Sequence, residues 1–341
     1  TYTDISTTSY TITEFDPLVE NWFWVQVTDT LGLSSIGTGM TNSLDSEPNP
    51  VNVTSVTYDL EYMTIIWEEY VPNLSRINQM NQNTRSTVTN DFVSYELLQS
   101  DSENGTYSSI TVITDQSTTS HSITEYDPTQ QNWFKIKVTD FWELNSTGTG
   151  MTNEIDSPPS QIDISSVTYD LTEMVVTWEQ SSDNDFVSYE LLQSDTENGN
   201  YSSITVITDK STTSHSLTEF DPLVENWFKV KVIDIWGLNS TGTGMTNEID
   251  SPPTPSELYP ITYNDDGYQI IWSQNNDDDF GSYKLYESLS EDMSDYTLIY
   301  ETEDRTDTTY IKTLPNIGYN QIIVEDVWGL QSTSNIEIGD Y

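Results

Sequence analysis

The side chains with chemistry to offer in this chain are carboxylates. Glu248 and Asp250 end one segment, and Asp277, Asp278, Asp279 and Asp326 lie in the next; Glu154 and Asp156 stand in the same relation to Asp183, Asp185 and Asp234. Acids that converge from the end of one folded segment onto the start of another make an oxygen-only donor set. Such a set suits Ca2+ and offers nothing to a thiophilic metal. The competing reading is a solvated acidic surface. Nucleophilic catalysis has weaker support: Cys is absent, and the two His, His121 and His215, occupy equivalent positions in strand-like runs. Each reads as a half-buried strand histidine without convergent partners. No catalytic residue is expected, and no cofactor unless these acids hold Ca2+.

What must position these acids is a tandem repeat. Residues 91–158 and 185–252 are nearly the same sequence, differing at 12 of 68 positions. More diverged copies follow and precede them. Trp178 returns as Trp272 and Asp185-Phe186 as Asp279-Phe280, while Asn21-Trp22-Phe23 corresponds to Asn132-Trp133-Phe134. The expected organisation is a C-terminal half repeat over 1–47 and full repeats over 48–157, 158–252 and 253–341. Pro-rich segments such as Asp156-Ser-Pro-Pro159 separate them, and connections this short predict a semi-rigid rod. The chain begins in mid-repeat without Met, as a fragment or a processed product does.

Composition removes whole classes of partner. With Lys+Arg 10 against Asp+Glu 56, the formal charge of −46 repels nucleic acid and anionic membrane surfaces. No apolar run approaches the length that spans a bilayer. Each repeat is large enough to bury a core without disulfides.

Local patterns predict strands. Met174, Val176 and Trp178 share one face, and Phe228-Lys-Val-Lys-Val232 alternates apolar with Lys229 and Lys231, as a strand with one buried and one wet face does. Turn signals at Asn198-Gly199, Asp221-Pro222 and Gly237 separate such runs. About seven strands per repeat without helical periodicity define an all-β class of tandem, immunoglobulin-like sandwiches.

These residues resemble fibronectin type III domains. The resemblance rests on a Trp closing the second strand (Trp67, Trp178, Trp272), a Tyr in the third (Tyr95, Tyr189, Tyr283), a Phe220-Asp-Pro222 corner, an alternating sixth strand and Pro-rich boundaries. The run from Asp183 to Tyr189 is similar to the variant in bacterial secreted and surface proteins. Two features depart from the family. The corner Tyr ahead of the sixth strand is replaced by Asn226-Trp227, and the Arg-Gly-Asp adhesion tripeptide is missing.

Two further features bear on partners. Trp227 shares its parity with Lys229 and Lys231, so it faces outward, with Trp22 and Trp133 at the same place in their repeats. These rings either offer a stacking surface for glycans or another subunit, or pack over the preceding turn in place of the corner Tyr. Segment 70–89 is an insertion that carries Arg76 and Arg85, two of the ten basic residues, and so is a candidate contact in self-association. Residues 1–47 lack the Trp- and Tyr-bearing strands and alone would expose a face of Phe23, Val25 and Val27, which either upstream sequence of the same polypeptide or a neighbouring molecule completes. The reading is an extracellular structural or adhesion protein forming a rod or filament. The alternative is a spacer or carbohydrate-binding module of a larger secreted enzyme.

Overall fold

The computed structural model describes residues 1–73, 77, 90–313 and 318–339. Arg76, Arg85 and most of the insertion, residues 74–76 and 78–89, lie outside these residues. The chain forms two compact units, Thr1–Ser157 and Pro158–Tyr341. Among the described residues, no helix is long and apolar enough to cross a membrane.

Alternation in the sequence becomes alternation in burial. In the third repeat the strands are Ile164–Tyr169, Met174–Trp178, Phe186–Ser194, Ser202–Ile207, Ser214–Leu217 and Trp227–Asp234, followed by a seventh in two pieces, Asn239–Thr241 and Met245–Thr246. The first, second and fifth form one antiparallel sheet, and the fourth, third, sixth and seventh form the other. Met174, Val176 and Trp178 are buried from the first sheet, and Tyr189, Leu191, Phe228, Val230 and Val232 from the second. Lys229 and Lys231, at the intervening positions, stay half-exposed. The second and fourth repeats enclose cores of their own, around Trp67 with Tyr95 and Trp272 with Tyr283. The fold is therefore an all-β tandem of sandwiches, with the Trp in the second strand, the Tyr in the third and the alternating sixth strand that the resemblance implies.

The third-strand Tyr shows how a polar tip is tolerated at the centre of each core. Tyr189 Oη accepts from the Ser181 amide at 2.7 Å and donates to the Lys210 carbonyl at 3.1 Å, tying two loops to the ring. Tyr95 and Tyr283 make the same pair of bonds, to Tyr70 and Gln116 and to Asn275 and Arg305. Burial pushes all three phenols up, so they stay protonated donors.

On the wet face the third and sixth strands carry a cross-strand ion pair. Glu190 sits opposite Lys231, with Oε2 and Nζ 3.1 Å apart; Glu96 and Lys137 repeat the pair at 2.9 Å. In the fourth repeat the charges change sides, Lys284 on the third strand meeting Glu325 on the sixth at 2.7 Å. The hydrogen bond from Lys231, with one from Ser203, holds Glu190 below the usual carboxylate range. Its stabilising contribution is therefore complete above the ordinary glutamate pKa of about 4.3 and lost as pH falls through the lower folded value. Lys231→Met is expected to cost at most about 1 kcal/mol at neutral pH, since the pair is partly solvated. The deficit should close below about pH 4 in urea denaturation, as the carboxyl protonates.

The turn after the sixth strand is built on an aspartate. Asp234 Oδ1 accepts from the amides of Trp236 and Leu238, as Asp326 Oδ1 does from Trp328 and Leu330 and Asp140 Oδ1 from Trp142 and Leu144. The turn needs one left-handed residue, supplied by Gly32 (φ 86°), Gly237 (φ 83°) and Gly329 (φ 90°), but by Glu143 (φ 65°) in the second repeat. A side chain there costs roughly 1–2 kcal/mol, while glycine adds roughly 0.4–1 kcal/mol of unfolded-chain entropy. Glu143→Gly should therefore stabilise the second repeat by about 0.5–1 kcal/mol. A fall in its thermal midpoint would contradict this.

The half repeat pairs as the end of a sandwich does, with Trp22 opposite Thr41 and Gln26 opposite Ile36. Phe23, Val25 and Val27 are 47%, 72% and 66% exposed, whereas their counterparts Phe228, Val230 and Val232 are fully buried. An apolar hollow lined by Tyr10, Ile12, Phe15, Phe23, Val25 and Met40 opens on that face.

Candidate metal centre

Three aspartates from separate parts of the second unit converge. Asp250 closes the third repeat, Asp279 directly precedes the third strand of the fourth repeat, Phe280–Ser288, and Asp326 ends its sixth strand, Tyr319–Asp326. The loops after the second and sixth strands share one end of the sandwich, and the connection from the preceding repeat arrives there. Carboxylate oxygens of the three residues all lie within 4.8 Å of one another.

Each aspartate is held by bonds that leave part of its carboxylate unused. The Asp250 amide donates to the Pro222 carbonyl at 3.0 Å, docking the residue on the Phe220-Asp-Pro222 corner. Tyr169 Oη donates to Asp250 Oδ1 at 3.0 Å, leaving Oδ2 buried without a hydrogen-bond partner. Asp326 is 3% exposed; its Oδ1 is taken by the turn amides, and its Oδ2 too is buried and unpartnered. Asp279 is fixed through its main chain, its carbonyl accepting from the Val327 amide at 2.8 Å. An aromatic wall lies against the cluster: Phe220 packs against Tyr169 at 6.0 Å and Trp328 at 5.6 Å.

The electrostatics follow from this geometry. Burial, then the charges of Asp250, Asp326 and Asp277, push the Asp279 carboxyl above its ordinary range. Burial, then the bond to Asp250, pushes the Tyr169 phenol up to about 12. None of the three aspartates forms an ion pair among the described residues.

Not every acid in the region takes part. Glu248 and Asp278 are exposed to solvent. Asp277 is engaged locally, its carboxylate accepting from Thr254 Oγ1 at 3.0 Å and Asn275 Nδ2 at 2.9 Å while Arg305 bonds its carbonyl. Burial alone would raise its pKa, but these bonds and the Arg305 charge outweigh it and hold the carboxyl low. Asp183 is similarly occupied by Ser160 and Ser181. Asp156, in the first unit, accepts from Tyr58 Oη at 2.9 Å, and Glu154 beside it is exposed. In the second unit the Asp185 carbonyl accepts from the Ile235 amide, and Asp234 caps its turn. Among the described residues of the first unit, the equivalents Asp45, Asp91 and Asp140 form no such cluster, and Asp91 Oδ1 accepts from Tyr70 Oη.

The replacement of the corner Tyr also has a structural answer. Asn226 Nδ2 donates to the carbonyls of Asp221 and Val224, and its amide donates to Asn247 Oδ1 at 2.8 Å. Asn132 with Asn153 and Asn21 with Asn42 make the same clamp. The corner is thus closed by the Asn. Trp227 and Trp133 are half-buried on the outer face, with Nε1 bonded to Glu225 and Gln131, and Trp22 is exposed, bonded to Glu20. Lys229 lies 4.3 Å over the Tyr201 ring on that face, as Lys135 does over Tyr107. His121 and His215 are half-buried on the fifth strand.

No family model and no curated protein matches the chain. Among solved structures it is similar to the FN1-FN3 domains of chicken CNTN1, at 12% identity over 86% of this chain and 99% of that one, with a TM-score of 0.26. It is also similar to the sixth fibronectin type III domain of human fibronectin type III domain containing protein 3, at 19% identity over 29% of this chain and 94% of that one, with a TM-score of 0.25. The sandwich is defined by the strand order and register of the chain itself.

Proposed function

We propose that the chain is a non-catalytic array of fibronectin type III-like modules that serves outside the cell as a structural or adhesive element and associates with copies of itself. The observation that carries this reading is the repeated outer face. Glu96 with Lys137 and Trp133 recur as Glu190 with Lys231 and Trp227, on the same strands and in the same register. Identical contacts repeated along one chain favour multivalent attachment, in which each added contact multiplies the effective affinity. A large net negative charge keeps such an array soluble and directs it toward cationic partners.

Negative-stain microscopy of the chain at increasing concentration tests the reading. Filaments or regular oligomers support it, and a strictly monomeric particle at high concentration removes the self-association. The outward Trp133 and Trp227 favour a second reading, a carbohydrate-binding module of a larger secreted enzyme. Binding on a glycan array that Trp133→Ala and Trp227→Ala abolish would decide for it.

A further inference from the structure

We propose that Asp250, Asp279 and Asp326 bind one Ca2+ ion that ties the end of the third repeat to the start of the fourth. Three observations point to a cation and not to a solvated acidic surface. The first is convergence: the carboxylate oxygens come within 4.8 Å of one another although the residues lie on different loops. The second is the pair of unused acceptors, since Oδ2 of Asp326 and of Asp250 are buried and accept no hydrogen bond. Asp326 is 3% exposed, so its free oxygen cannot be satisfied by rotating into solvent. A buried acceptor left unmatched is unfavourable, and a charged one more so. The third is the surrounding hydrogen bonding, which fixes Oδ1 of both residues and directs what remains toward the cluster.

The donor chemistry selects the ion. All three donors are carboxylate oxygens, which suit a hard divalent cation and offer no nitrogen or sulfur to zinc or copper. Ca2+ accepts irregular oxygen cages completed by carbonyls and water, whereas Mg2+ demands near-ideal octahedral geometry. Side chains projected from three separate loops meet the first requirement more readily.

The neighbouring acids sharpen the assignment. Asp277 is occupied by Thr254 and Asn275, and Glu248 and Asp278 are exposed, so only three of the six nearby acids contribute. The consequence is mechanical. Asp250 belongs to the third repeat and the other two ligands to the fourth, so the ion would stiffen the Asp250-Ser-Pro-Pro253 joint.

Calorimetric titration of the full chain with CaCl2, together with thermal unfolding in Ca2+ and in EDTA, tests the site in the parent protein and in Asp279→Asn and Asp250→Asn. Each variant is expected to bind one ion fewer per chain. The thermal order should invert. In EDTA, Asp279→Asn should melt above the parent because it removes one of three crowded negative charges; in millimolar Ca2+ the parent should melt above the variant. Asp278→Asn, an exposed acid in the same loop, should leave stoichiometry and midpoints unchanged. Unchanged stoichiometry in both cluster variants, or a parent midpoint that is the same in Ca2+ and in EDTA, would overturn the proposal.

Discussion

Trp178→Ala is expected to destabilise the third repeat by about 3–5 kcal/mol, the range for removing a buried aromatic from a core that cannot collapse around the gap. Trp178 is 3% exposed and packs edge-on against Tyr189 at 5.8 Å, where the two sheets meet. Its indole N–H makes no hydrogen bond within the protein, so the ring contributes through volume and contact. Trp178→Phe should accordingly cost much less than Trp178→Ala. The core around Trp67 lies in the other compact unit and has its own Trp–Tyr pair at 5.9 Å, so its unfolding should not move. Differential scanning calorimetry resolves the two. A Trp178→Ala protein whose transitions all shift together would show that the cores unfold cooperatively.

That core was legible in the sequence because burial on a sheet has period two. Met174, Val176 and Trp178, and Phe228, Val230 and Val232, are inward in the structure as their alternation dictates. Topology also carried the acids part of the way, since in this sandwich the loops after the second and sixth strands lie at one end. Sequence could not separate Asp279 from Asp277 and Asp278. The difference is made by short-range bonds: Thr254 and Asn275 occupy Asp277, while Asp278 points to solvent. Tyr169 as a ligand-positioning group was not anticipated, because its partner is 81 residues away, across the whole repeat. The Asn clamp at the corner did leave a signal. Asn21 and Asn42, Asn132 and Asn153, and Asn226 and Asn247 are each 21 residues apart, a constancy expected of paired side chains.

Gly242→Ala is expected to be the most damaging single-methyl addition in the third repeat. Gly242 lies between the two pieces of the seventh strand, where its amide donates to the Val230 carbonyl at 2.9 Å. A Cβ at this position would sit 1.9 Å from the Ile162 carbonyl oxygen and 2.8 Å from its carbon. The obstacle is backbone, so no rotamer change relieves it. Either the segment entering the first strand moves away from the seventh, or the seventh leaves the sixth. Overpacking of this kind typically costs 1–3 kcal/mol and more where the main chain must shift. Gly148, the equivalent in the second repeat, meets the Val51 carbonyl oxygen at 1.8 Å and should behave alike. Gly244, two residues on, is the internal control. The nearest obstacle to its Cβ is the Tyr201 hydroxyl at 2.9 Å, the far end of a side chain that can swing aside. Gly244→Ala should therefore lie within about 1 kcal/mol of the parent, and even a small entropic gain from the unfolded chain can offset it. Urea denaturation of the two variants side by side gives the comparison. Equal midpoints would mean that the contact between Gly242 and Ile162 carries no steric weight and that the first and seventh strands are free to separate.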